Sequence, residues 1–297
     1  MLHTASPFIV QVEDPQRDLI DPAVKGTLNV LNECVKLRES QSNDDEKRLK
    51  RIVLTSSIAA VVDTAEENKI YDESDWNELS SLDKNPYCFS KVSAEKAAWK
   101  YMKEQEEKHG IDFLELVAIN PGLVMGQPIM SKQVNQSHET LIKIANGEFP
   151  VIFAMEFALV DVLDVALAHI NAMELEANNR QRFLPSKGER FIVCQETISM
   201  ADICATLIDI YSQSAPKWLK KVPSTKMTGG FGNMIAKVAT ALTQSKGVRQ
   251  YVNSTIGKPQ YFNNNKVTTI LGVKFRTSRE IIQTSMDYLV SIGQIKN

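Results

Sequence analysis

Arg51-Ile52-Val53-Leu54-Thr55-Ser56-Ser57 is the stretch from which the fold can be read. A short apolar run without polar alternation is the pattern of a strand buried on both faces. Hydroxyl residues follow at its carboxyl end. Upstream, Met1–Thr4 reads as the tail of another strand, followed by a loop at Ala5–Phe8. Asp21-Pro22 then opens a helix to about Leu37, with Val24, Leu28, Leu31 and Val35 on one face. Downstream, Tyr87 to about His109 is a long helix ended by Gly110. Phe113–Ile119 is the next strand, and Asn120-Pro121-Gly122 is expected to break it. Val160–Leu175 reads as helix, Arg190–Cys194 as a short strand, and Arg279–Ile292 as a closing helix. The rest is helical pieces and loops. Glu39–Lys50 is a polar, solvated loop, and residues 63–85 form a long irregular loop of the kind that often carries function. Strands alternating with amphipathic helices predict βαβ units and a parallel sheet.

The chain has 297 residues, 43% hydrophobic and 24% charged, with a net charge of −2. These values exclude a disordered or low-complexity chain and give no electrostatic footprint for nucleic acid. Val151–Leu163 is apolar but is interrupted by Glu156 and Asp161, too short and too charged to span a bilayer. The N-terminus has no secretory signal pattern. Cys34, Cys88, Cys194 and Cys204 form no CxxC pair and no zinc-spaced cluster with histidine. They read as buried thiols of a reducing compartment, so a cytoplasmic protein without a metal is expected.

Three segments carry possible chemistry. Tyr87 and Lys91 are four apart and share one helix face. An ammonium beside a phenol favours the phenolate and makes the tyrosine a usable proton donor or acceptor. Thr55-Ser56-Ser57 stands at a strand's carboxyl end, where open α/β sheets bind ligands. Asn120-Pro121-Gly122-Leu123-Val124 stands just past the next strand, where proline and glycine let backbone approach a flat ligand. Each alone is equally an ordinary strand end, helix pair or turn.

In this order, with the YxxxK about thirty residues after the strand serines, the chain resembles the extended short-chain dehydrogenases/reductases. It looks most like the branch of dihydroflavonol reductases, cinnamoyl-CoA reductases and yeast-type methylglyoxal/aldehyde reductases. The matching text includes His3–Phe8, Asp21–Leu31, Val53–Ser57, the acidic-Trp segment Asp72–Trp76, Tyr87–Lys91, Ala94–Trp99, Asn120-Pro121, Val160–Ala166 and Leu271–Phe275. The resemblance implies an α/β fold: an incomplete Rossmann-type doubly wound parallel sheet with a smaller C-terminal substrate lobe. Residues 1–195 would form the partial dinucleotide-binding core, interleaved with a substrate lobe from 121–160 and 185–297.

It further implies that Ser57, Tyr87 and Lys91 are a catalytic triad acting with NADP, NAD being possible. Thr4, Ala5 and Ser6 would line the adenosine-side loop, and Thr55 would also bind the cofactor. Pro121, Gly122, Leu123 and Val124 would pack on the nicotinamide, with Ser137 near the phosphates. Asp161 and Asp164 match helix-start acids and are expected to cap. The partner is a small-molecule carbonyl compound, with no nucleic acid and no membrane; a homodimer is possible. Family members open with a strand, a GxxGxxG turn and a helix. Nothing like it precedes Met1, and Gly229-Gly230-Phe231-Gly232 follows no clear strand. The expectation is an N-terminally truncated copy of a normal enzyme, lacking roughly 60–80 residues. The alternative is a short pseudo-enzyme that has lost cofactor binding.

In dihydroflavonol reductases an Asn five residues after the catalytic Ser reads the flavonoid; here that position is Val62. An aldehyde or ketone is therefore the expected substrate. Sugar-nucleotide epimerases and 3β-hydroxysteroid dehydrogenases share the triad and remain an alternative.

Overall fold

The computed structural model describes residues 1–6, 12–42, 47–111, 113–129, 134–175, 189–243, 249 and 253–296. Its centre is a four-stranded, all-parallel sheet in the order β1 (Leu2–His3), β2 (Arg51–Thr55), β4 (Glu115–Pro121), β8 (Arg190–Val193). β2 has the boundaries that its apolar run predicts. Its middle residues are buried because both faces of the sheet are covered. On one face lie α1 (Asp21–Glu39) and α2 (Pro86–His109), where Leu31, Val35, Ala98, Trp99 and Met102 pack on Ile52, Leu54 and Leu116. On the other lie α4 (Val162–Glu174) and a short helix, α7 (Asn265–Ile270), where Ala168, Ala172 and Val267 meet Val53, Val117 and Phe191. This is the expected α/β doubly wound arrangement.

A second, smaller sheet is made of β5 (Leu123–Met125), β7 (Glu156–Asp161) and β9 (Glu196–Ser199). Its core holds α3 (Gln136–Asn146), α5 (Met200–Tyr211) and α8 (Ser278–Ser291), with Leu141, Leu159, Ile203, Trp218, Ile281 and Leu289 buried together. Two further pairs complete the sheets: β3 (Ile70–Tyr71) with β11 (Tyr261–Phe262), and β6 (Ile152–Phe153) with β10 (Lys226–Met227). β10 runs into α6 (Gly229–Thr243).

Several boundaries differ from the sequence reading. Asn120-Pro121 does not break the strand: both residues pair with β8, and Gly122 donates its N–H to the Val193 carbonyl at 3.0 Å. Proline is tolerated there because it stands at the strand's end, past the register with β2. Val160 and Asp161 close a strand rather than open a helix; Asp161 is the cap, accepting from the Leu163 N–H at 2.8 Å. Asp164 does not cap. It is buried and binds the Arg276 backbone N–H at 2.8 Å and its guanidinium, tying the segment before α8 to α4. The irregular loop contains β3, and the glycine cluster does follow a strand, β10. Two-residue strands leave no periodicity to read.

Candidate functional site

The carboxyl ends of β1, β2 and β4 and the first turns of α2 converge on one region. After β2 the chain turns at Ser57, whose extended backbone (φ −165°) caps a 3₁₀ turn at Ile58–Ala60; its Oγ accepts from the Ala59 N–H at 3.1 Å. α2 brings Tyr87 to the same place, and the phenol hydroxyl and Ser57 side chain share a hydrogen bond. One turn on, Lys91 Nζ lies 5.4 Å from the Tyr87 ring centroid and donates to Ser6 Oγ at 2.7 Å. Ser57, Tyr87, Lys91 and Ser6, from three separate segments, are thus brought together.

Ala5, Ser6, Thr55 and Lys91 line a common cleft with Thr27, Leu54, Ser56, Ala94 and Glu95. Thr4 is exposed at the end of β1. The Thr55 hydroxyl is committed elsewhere, 2.6 Å from His169 Nε2 on α4. That imidazole binds the Val165 carbonyl through Nδ1 at 2.8 Å, and burial pushes its pKa down. Its Nε2 is therefore the acceptor. Pro121 closes β4 and Gly122 follows it; Leu123 packs into the smaller sheet's core, and Val124 packs against the core of α4. Ser137 lies in the first turn of α3, which Asn135 caps by accepting from the His138 N–H at 2.9 Å.

The electrostatics differ from the expectation in one respect. Burial, helped by Cys88, pushes the Tyr87 phenol up, and the bond from Ser57 offsets only part of that. Lys91 does not lower it in the free chain, because burial pushes the ammonium itself down to about 8. Tyr87 is therefore a protonated donor at neutral pH. Burial and the Asp63 carboxylate push the neighbouring Cys88 thiol up to about 12, which leaves it no nucleophile.

Behind these residues stands a buried network that the sequence reading missed. Glu95 Oε2 accepts from Ser56 Oγ at 2.5 Å and Asn120 Nδ2 at 2.8 Å; Oε1 accepts from Arg190 Nε at 2.7 Å and Trp99 Nε1 at 3.2 Å. Asn120 Nδ2 also holds the Ser57 carbonyl at 3.0 Å. Arg190 Nη1 binds the carbonyls of Glu73 at 3.0 Å and Asp75 at 2.6 Å, and its guanidinium stacks 3.8 Å from the Trp76 ring. The acidic-Trp loop is thereby clamped beneath the site. A second support holds the start of α2: Asn85, left-handed at φ 50°, donates its amide to the fully buried Asp63 carboxylate. The available signal was polar residues on a buried helix face: Ser90, Lys91 and Glu95 all face inward on α2.

Among the described residues no group of three or more His, Cys, Asp or Glu could hold a metal ion. No helix of the described residues is long and apolar enough to cross a membrane.

A doubly wound parallel sheet with hydroxyl and amine side chains gathered at its carboxyl edge defines a Rossmann-type α/β protein. The model of the 3-beta hydroxysteroid dehydrogenase/isomerase family matches residues 1–217, and the chain belongs to that family. It is 41% identical over 184 residues to cinnamoyl-CoA reductase CAD2 of Medicago truncatula, covering 59% of this chain and 49% of the plant protein. This chain thus spans about half the length of that relative. It is 31% identical over 306 residues to the NADPH-dependent methylglyoxal reductase GRE2 of Saccharomyces cerevisiae, covering 98% of this chain and 76% of the yeast protein. The crystal structure of yeast methylglyoxal/isovaleraldehyde reductase Gre2 with NADPH superposes with a TM-score of 0.69 at 27% identity, covering 99% of this chain and 77% of that one.

Proposed function

We propose that the protein reduces an aldehyde or ketone to an alcohol with NADPH. The carrying observation is the meeting of Ser57 and Tyr87 with Lys91, one helical turn on and bonded to Ser6, at the carboxyl end of a parallel sheet. The likeness to NADPH-dependent relatives supports the same reading. The donor set fits the nicotinamide and ribose end of a dinucleotide: a buried ammonium, two hydroxyls and an apolar strand end. Lys91 and Ser6 would hold the ribose hydroxyls, and Pro121–Val124 would form the apolar wall. The cofactor, when bound, supplies the hydride. Ser57 would hydrogen-bond the substrate's carbonyl oxygen. Tyr87, kept protonated by burial, would deliver its proton to that oxygen as charge develops there. Lys91 and Ser57 would then stabilise the phenolate. Asn120 and Glu95 are assigned no contact with substrate; they hold Ser57 in place.

The test is NADPH oxidation by the purified chain with a panel of aldehydes and ketones, beside Tyr87→Phe. Carbonyl-dependent turnover that falls at least about a hundredfold in the variant is expected. Saturable NADPH binding without carbonyl-dependent turnover would overturn the reading. Product analysis separates it from steroid dehydrogenation, the activity for which the family is named.

A further inference from the structure

We infer that α6 and the cationic segment around it form a docking surface for an anionic lipid membrane. Three observations carry this. First, α6 turns an apolar stripe to solvent. Phe231 is 73% exposed, Met234 55%, Ile235 36% and Val238 54%. At 100° per residue these four fall within about a third of the helix circumference. Gly232 and Ala236, on another side, are buried against the body of the protein. The stripe is therefore the outer face of a helix whose inner face is already used.

Second, charge is segregated to this part of the chain. No Asp or Glu occurs between Asp209 and Glu280, a stretch with twelve Lys and Arg. The rest of the chain has 22 basic and 36 acidic residues. Among the described residues Lys217, Lys220, Lys221, Lys226 and Lys258 are exposed and in no ion pair.

Third, the fold places part of that charge at the base of α6, where the helix meets the body of the protein. Gly232 lies against the Met227 backbone, so closely that a Cβ there would overlap it, and Lys226 precedes Met227. Asn233 lies equally close to Gly257, and exposed Lys258 follows. Lys226 and Lys258 thus bracket the inner side of α6.

An amphipathic helix with an apolar face and cations on its polar side lies in the membrane interface, its apolar side chains at the headgroup–acyl boundary. Basic residues add attraction to anionic headgroups. A second copy of the chain is a poorer occupant, since it would bring two cationic faces together. The inference departs from the expectation of a partner set without a membrane: this is contact with a membrane surface, not a span.

The experiment is co-sedimentation of the full chain with phosphatidylserine–phosphatidylcholine vesicles and with phosphatidylcholine vesicles, at low and high salt. Binding to the anionic vesicles alone, weakened by salt, is expected. Lys226→Glu with Lys258→Glu should weaken it at least about thirtyfold, because each cation near an anionic surface is worth about fivefold. Phe231→Ser with Met234→Ser should weaken it on the order of tenfold or more. No vesicle binding, or equal binding to both vesicle types, overturns the inference. So does vesicle binding that neither variant reduces. A dimer in sedimentation that the serine variant dissolves, without vesicle binding, would assign the stripe to a second copy instead. Should the serine variant fail to fold, the salt dependence of the unaltered chain and the lysine variant decide.

Discussion

Replacing Glu95 by glutamine keeps the shape of the side chain and removes its charge. Oε1 faces two donors, Arg190 Nε and Trp99 Nε1, and Oε2 faces two more, Ser56 Oγ and Asn120 Nδ2. A glutamine NH₂ in the first position opposes two groups that can only donate. In the second position Ser56 can rotate to accept, but Asn120 must turn its amide over and release the Ser57 carbonyl. Either way Arg190, with a side chain 1% exposed, loses its anionic partner. Breaking one side of a buried ion pair costs about 3–5 kcal/mol. With a urea m-value of about 3 kcal/mol/M, the unfolding midpoint of Glu95→Gln should drop by about 1–2 M. Arg190→Met should cost a similar amount, and the double variant less than the two together, by more than about 1 kcal/mol. The signature separating anchoring from mere stability is catalytic: Glu95→Gln should lower kcat at temperatures where the fold is intact, with little change in NADPH affinity. A midpoint shift below about 0.3 M, or additive single variants, would refute the account of Glu95 as the network's centre.

Three further outcomes follow from the same geometry. Lys91 holds a proton up to about pH 8 in the folded chain and to 10.5 when unfolded, so its burial penalty applies in full below pH 8 and fades as pH rises toward 10.5. The stability advantage of Lys91→Met, measured by urea unfolding at several pH values, should therefore be largest near neutrality, roughly 3 kcal/mol, and shrink in alkali; an advantage constant with pH contradicts the assignment. Burial holds His3, His138 and His169 below their ordinary value of 6.5; the unfolded chain then binds more protons below pH 6.5, stability falls as pH drops through that range, and His138→Gln should flatten the fall in an acid thermal-melt series. An alanine at Gly122 would drive its Cβ into the Ala158 carbonyl; Gly122→Ala should cost about 1–3 kcal/mol by chemical denaturation, and a neutral result would mean that the two sheets part more easily than their register suggests.

Three main elements around the site were legible because each satisfies a local rule. β2 is an uninterrupted apolar run, α1 has a periodic apolar face opened by Asp-Pro, and α2 ends at a glycine with positive φ. Tyr87, Lys91 and Ser57 were legible because helix spacing and strand-end position are also local. The ion pair between Glu95 and Arg190 was not, since its partners are far apart in sequence and nothing near either residue announces the other. Each looks alone like an unremarkable charged residue. Thr55 shows what position alone does not give: it lines the cleft, as its place at the strand end suggests, but its hydroxyl is bonded to His169 on α4. The two-residue strands β3, β6, β10 and β11 were hidden because pairing, not pattern, makes them strands.

A single residue, Gly122, separates β4 of the larger sheet from β5 of the smaller, and two residues, Cys194 and Gln195, separate β8 from β9. The chain therefore crosses from one sheet to the other on ties too short to slacken. The halves are sewn, not strung. Neither can be excised as a cassette or exchanged with that of another family member by one cut and one join, because a boundary at any one crossing, the step from β7 into α4 included, leaves the others intact. Recombination between relatives should succeed only where all the crossings come from the same parent. Single substitutions, rather than swaps of whole parts, are then the accessible route by which such a chain changes what it acts on.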